Sequence, residues 1–96
     1  MKNLFAYIEE AMSVKALPGK RQIGGTWLRA EENGFVAVFL LFDKPSDEYG
    51  IDGGKISKLE IRDSNNHIVC NYDREWDIQP DEKVLKFYEE IIKKYN

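Results

Sequence analysis

The sequence predicts a small α+β fold: a four-stranded antiparallel meander sheet flanked by an N-terminal and a C-terminal helix, in the order α-β-β-β-β-α. Three observations carry this. Apolar residues recur at three- and four-residue steps near both ends of the chain. Four middle segments alternate, or run apolar, as strands do. Turn-forming residues separate those segments. All 96 residues fit a single domain, since a chain of this length builds one hydrophobic core.

Residues 2–17 read as the first helix, with Leu4, Phe5, Ile8, Ala11 and Met12 on one face and Glu9, Glu10 and Ser13 elsewhere. Pro18-Gly19 ends it. Residues 26–32, TWLRAEE, alternate as a first strand. Asn33-Gly34 follows as a hairpin signal, because both residues tolerate positive φ. Residues 35–43, FVAVFLLFD, are apolar on both alternating faces and suit a central strand. After the long connection 44–55, residues 56–63 put Ser57, Leu59 and Ile61 on one face and Lys58, Glu60 and Arg62 on the other. SNN turns the chain into residues 67–73, with Ile68, Cys70 and Tyr72 in phase. The last helix runs from about Pro80 to Tyr95, its stripe formed by Val84, Leu85, Tyr88, Ile91, Ile92 and Tyr95. The two helices either share one face of the sheet or cover one each. In the first case apolar area beside Trp27 and Arg29 stays open as a surface for a partner or a second copy.

Composition narrows the function classes. The chain is 43% hydrophobic and 32% charged, with twelve aromatic residues, which fits a folded domain rather than a disordered one. Cys70 is the single cysteine, so no disulfide forms within the chain, and a reducing, cytoplasmic setting is expected. The N-terminal stretch, broken by Glu9 and Glu10, is too polar for a signal peptide or a membrane span. A net charge of −3 argues against broad attachment to nucleic acid or anionic membrane.

The segment YGIDGGKISKLEIRD, residues 49–63, invites comparison with a phosphate-binding loop and fails it. Three residues, not four, separate Gly50 from Gly54, Ile56 stands where a hydroxyl belongs, and a strand rather than a helix follows. The glycines instead shape a turn or bulge that launches a strand, with Tyr49 and Ile51 pinning a packed loop. Asp43, Asp47, Glu48 and Asp52 lack calcium-loop spacing. His67 and Cys70 fall on opposite faces of one strand, so neither a zinc site nor a thiol–imidazole pair forms. No metal, cofactor or catalytic residue is expected.

Two segments together, SDEYGIDGGKISKLEI (46–61) and NYDREWDIQP (71–80), resemble a family of small uncharacterised proteins from bacteria, their phages and mobile elements. The matching residues are Ser46, Tyr49 to Ile51, Gly53 to Leu59, Asn71 to Arg74, Trp76, Asp77 and Pro80; Glu75 departs from a pattern that has glycine there. The resemblance implies a setting, a pairing of the two loops and little chemistry. Adjacent antiparallel strands would set Lys55 or Lys58 opposite Asp73 or Asp77.

The reading is a non-enzymatic protein-binding module, homodimeric or bound to an unidentified protein. Its interaction candidates are Trp27, Arg29, Tyr49, Lys55, Lys58, Arg62, Tyr72, Asp73, Arg74, Trp76 and Asp77. Interleaved acids weigh against the first alternative, a weak nucleic-acid binder using Lys55, Lys58, Arg62, Tyr72, Arg74 and Trp76. A further alternative is a small hydrolase using Asp73 and Asp77.

Overall fold

The computed structural model describes residues 12–96. Six strands form one antiparallel sheet: β1 (Ser13–Ala16), β2 (Gly25–Glu32), β3 (Phe35–Phe42), β4 (Ile56–Arg62), β5 (Ile68–Asp73) and β6 (Trp76–Ile78). Each strand pairs with its neighbours in sequence, and helix α1 (Leu85–Tyr95) follows. The expected four-stranded sheet flanked by two helices is therefore corrected to a six-stranded sheet with one C-terminal helix among the described residues.

Both additional strands lie at the sheet edges. Residues 13–16, expected to be helical, pair with β2 instead, setting Val14 opposite Ala30 and Ala16 opposite Leu28. The pairing continues as the Leu17 N–H donates to the Trp27 carbonyl at 2.9 Å. Hydrogen bonding along the β2 edge outweighs the helical spacing of this short run, which would otherwise leave a row of ladder groups unpaired. Residues 2–11 of the expected first helix lie outside the described residues, and Met12 and Leu17 are not helical. At the other edge, Trp76 pairs with Tyr72 and Ile78 with Asn71, a strand too short to show alternation.

The β2–β3 hairpin turns on Asn33 and Gly34 at φ 51° and 86°, the primed geometry that matches strand twist. Helix α1 begins later than Pro80 because the Asp81 carboxylate accepts the Lys83 and Val84 N–H groups at 2.9 and 3.3 Å, holding that stretch in a turn. Its buried stripe is Val84, Phe87 and Ile91, while Leu85, expected inside, is exposed. The helix lies against one sheet face: Phe87 stacks near Phe35, Tyr95 meets Phe39, and Tyr88 meets Trp76. Ala30, Ala37, Phe39, Leu59, Ile61 and Cys70 complete this core.

Register fixes the opposite face. Three rows cross it: Glu31–Val36–Arg62, Arg29–Val38–Glu60 and Trp27–Leu40–Lys58. Val36 and Val38 are only half-buried there, whereas Leu40 is buried beneath its neighbours. No helix among the described residues covers this side.

Candidate binding site

A six-strand meander puts every second connection at the same end of the sheet. The β1–β2 loop, the β3–β4 loop and the β5–β6 turn therefore converge. The middle one is the glycine loop. Gly50 to Gly54 wrap around a short 3-10 turn over Ile51–Gly53, with Asp52 at φ 51° and Gly53 at φ 73°. A Cβ at Gly50 would collide with the Gly54 carbonyl, so only glycine lets the two arms of the loop touch. Asn96 clamps the loop to the end of α1. Its side-chain Nδ2 donates to the Ile51 carbonyl and its Oδ1 accepts the Ile56 N–H, both at 2.9 Å.

The β5–β6 turn packs beside the loop. Asp73 N–H donates to the Glu75 carbonyl at 3.0 Å, and Arg74 sits in the left-handed region at φ 65°. The left-handed position is thus Arg74, and Glu75, where the family resembled has glycine, does not adopt positive φ. Arg74 N–H donates to the Ser57 carbonyl at 3.0 Å, and its guanidinium lies 5.8 Å from the centre of the Tyr49 ring. The Tyr72 hydroxyl donates to the Tyr49 carbonyl at 3.0 Å. The two motif segments are therefore neighbours, joined by these contacts as well as by the strand ladder.

Between these loops and the open sheet face lies a cavity of about 650 Å³. Leu40, Phe42 and Tyr49 give it apolar walls, and Lys44, Lys58 and Arg74 bring three cations against the single acid Asp43. Ser46, Tyr49, Ser57, Lys58 and Arg74, all from the two motif segments, line it. Asp73 stands behind the cations, 3.8 Å from Lys58 and 3.7 Å from Arg74. Such a site can take an apolar group carrying negative charge. Ile23, between the lining residues Gln22 and Gly24, is 96% exposed in the β1–β2 loop.

The candidates from sequence divide by face. Tyr49, Lys58 and Arg74 line the cavity. Trp27, Arg29 and Arg62 lie on the open face, where Lys20 sits 4.7 Å above the Trp27 ring. Arg62 is held by Glu60 at 3.0 Å and Arg29 by Glu31 at 3.3 Å. Asp73 also faces that side, and Asp77 accepts from the Asn71 amide at 3.3 Å. Lys55 is exposed just before β4 and stands apart from the cavity lining. Tyr72 and Trp76 are on the helix side, edge to face at 5.0 Å, with Tyr72 buried. They support the site from beneath.

Two ionisable groups lie deeper. Burial pushes the Cys70 thiol up to about 12, which makes it an inert core residue at neutral pH. Glu32, at the end of β2, meets Glu90 of α1. Burial, the Glu90 hydrogen bond and the Glu90 charge raise its carboxyl to about 7, against the opposing charge of Lys86. Sequence reasoning missed this pair, because nothing in the spacing brings residue 32 to residue 90. His67 lies outside β5, in the turn, 3.7 Å from Asp63. No cluster of three metal-ligating side chains occurs among the described residues, and no helix there is long and apolar enough to cross a membrane.

A family described as a domain of unknown function, DUF7678, matches residues 26–96, and the chain belongs to it. The match runs from β2 through α1 and includes the glycine loop, the β5–β6 turn and most of the cavity lining. No curated protein and no solved structure matches the chain.

Proposed function

We propose that this member of the DUF7678 family is a non-enzymatic protein-binding module, and that the three-loop cavity takes a large apolar side chain next to a carboxylate on its partner. The cavity is the observation that carries the reading: apolar walls from Leu40, Phe42 and Tyr49, with Lys58 and Arg74 at hand for an acid. Arg74 adds weight because a non-glycine residue at φ 65° costs on the order of 1 kcal/mol, and such strain gathers at recognition sites. Neither alternative has comparable support. Asp73 stands against Lys58 and Arg74, Asp77 accepts from Asn71, and Glu31 and Glu60 offset the charges of Arg29 and Arg62 on the open face.

Selection from a displayed random peptide library tests it. Peptides with Phe, Tyr or Leu beside Asp or Glu should be enriched, and Arg74→Gly should weaken their binding about tenfold. Arg74→Gly trades relief of left-handed strain against the stacking on Tyr49, so its stability should stay within about 0.5 kcal/mol of the parent. Enrichment of no motif, or a motif indifferent to Arg74→Gly and Lys58→Glu, would sink the reading.

The same reading takes the protein to act in the cytoplasm of a bacterium, in a phage or mobile-element setting. The buried single thiol supports the first part and the motif pair the second. Gene neighbourhoods without phage or transposition genes would count against the setting, and export to the periplasm against the compartment.

A further inference from the structure

On two of its three levels the open face carries a charge pattern that is antisymmetric about β3. On the level of Val38, the β2 side is positive and the β4 side negative: Lys15 and Arg29 lie to one side, Glu60 and Asn71 to the other, with Asp77 held on the Asn71 amide. On the level of Val36 the order reverses, with Glu31 on the β2 side and Arg62 on the β4 side. A two-fold axis running nearly along β3 keeps each level in place and exchanges the two sides. It brings Arg29 over Glu60 of a second copy and Glu31 over Arg62, while Val36 and Val38 meet their own counterparts.

We infer that this face binds a second copy of the chain, as a two-fold face-to-face sheet pair. Aligned sheets pack about 10 Å apart with strands within roughly 30°, a separation these side chains span. Each protomer already pairs Arg29 with Glu31 at 3.3 Å and Arg62 with Glu60 at 3.0 Å. Their side chains keep 37–52% exposure, so the charges remain available to a partner. Stacking the copies closes the pairs into alternating quartets, two per dimer. Isologous contact requires such self-complementarity, and an unlike partner does not. The apolar centre is narrow, since Leu40 is buried beneath its neighbours and Lys20 lies over Trp27 at the cavity end. The dimer is accordingly of micromolar strength, as small interfaces are. It is independent of what the cavity holds, because the cavity opens beyond these two levels.

Sedimentation equilibrium of the full chain, up to about 200 µM and at low salt, tests the inference. The wild type should show reversible dimerisation. Arg29→Glu alone and Glu60→Arg alone each place like charges opposite one another twice, and each should be at least about tenfold weaker. Mixed in equal amounts, the two variants should recover a heterodimer. There the introduced glutamate faces the introduced arginine, and the native Arg29 of one copy faces the native Glu60 of the other. Should either reversal fail to fold by circular dichroism, Arg29→Gln and Glu60→Gln serve the same comparison, each weakening the dimer and neither rescuing the other. A wild type that stays monomeric overturns the inference and leaves the face to an unlike partner. Variants that dimerise as well as the parent overturn it too, as does a reversed pair that stays monomeric when mixed.

Discussion

Removing the Asn96 side chain is the sharpest test of how the glycine loop is held. Asn96→Ala deletes two hydrogen bonds of 2.9 Å, one to the Ile51 carbonyl and one from the Ile56 N–H. Both partner residues are fully buried, at 0% exposure. The Ile51 carbonyl keeps the Gly54 N–H at 2.8 Å, so the Ile56 N–H is the group left without a partner. A typical bond contributes about 1 kcal/mol net, and an orphaned buried group costs about 1–3 kcal/mol. One lost bond and one orphaned N–H give an expected loss of roughly 2–4 kcal/mol, a large part of the roughly 5–15 kcal/mol that holds a domain together. In a thermal melt of a domain this size that corresponds to a fall of roughly 10–30 °C. In urea the midpoint should drop while the slope stays constant, because the surface exposed on unfolding is unchanged. Asn96→Gln, one methylene too long for the clamp, should recover little. A fall of less than about 1 kcal/mol would show that the loop is held by its own turn and the Tyr72–Tyr49 bond, and would refute the clamp.

Other outcomes follow from separate parts of the molecule. Gly50→Ala drives a Cβ into the Gly54 carbonyl and should destabilise by at least about 2 kcal/mol, with loss of peptide binding at the adjoining cavity; a neutral result in urea would contradict the close approach. For Glu32 the folded carboxyl titrates near 7, above its ordinary value of 4.5, so protonation favours the folded state. Its contribution is complete below about pH 4.5 and is lost as the pH rises through about 7. Glu32→Gln should flatten that fall, leaving the variant a few degrees more stable than the parent at pH 8, or about 1 kcal/mol after solvent screening; parallel melting curves across the range would refute it. Cys70, with its thiol pushed to about 12, should resist iodoacetamide at pH 8 in the folded protein and react on unfolding. Rapid alkylation under native conditions would contradict its burial.

Local chemistry shaped much of the sheet. Alternation and the Asn33-Gly34 turn mark the segments that become β2 to β5, because side-chain direction in a strand repeats every two residues. The glycine loop could be separated from a phosphate cradle on spacing alone, and its neighbourhood with the Asp73–Arg74 turn followed from antiparallel pairing, which sets Lys58 opposite Asp73. The edges were not legible in this way. Four residues of β1 and three of β6 are too few for a period to show, and what makes them strands is the unpaired ladder of a neighbouring strand.

The same limit applies to the site. Residue type nominated Tyr72 and Trp76 as surface anchors, yet β5 and β6 turn both toward α1, a matter of parity and of where the helix docks. The cavity, the Glu32–Glu90 pair and the Asn96 clamp join residues that only the completed fold brings together. Spacing along the chain was sufficient for the strands long enough to state a period and for the turns with enough glycine and asparagine to bend. The edges, the buried face and the meeting of three loops at one end came only with the folded chain, because they depend on backbone pairing and burial between segments that local spacing does not couple.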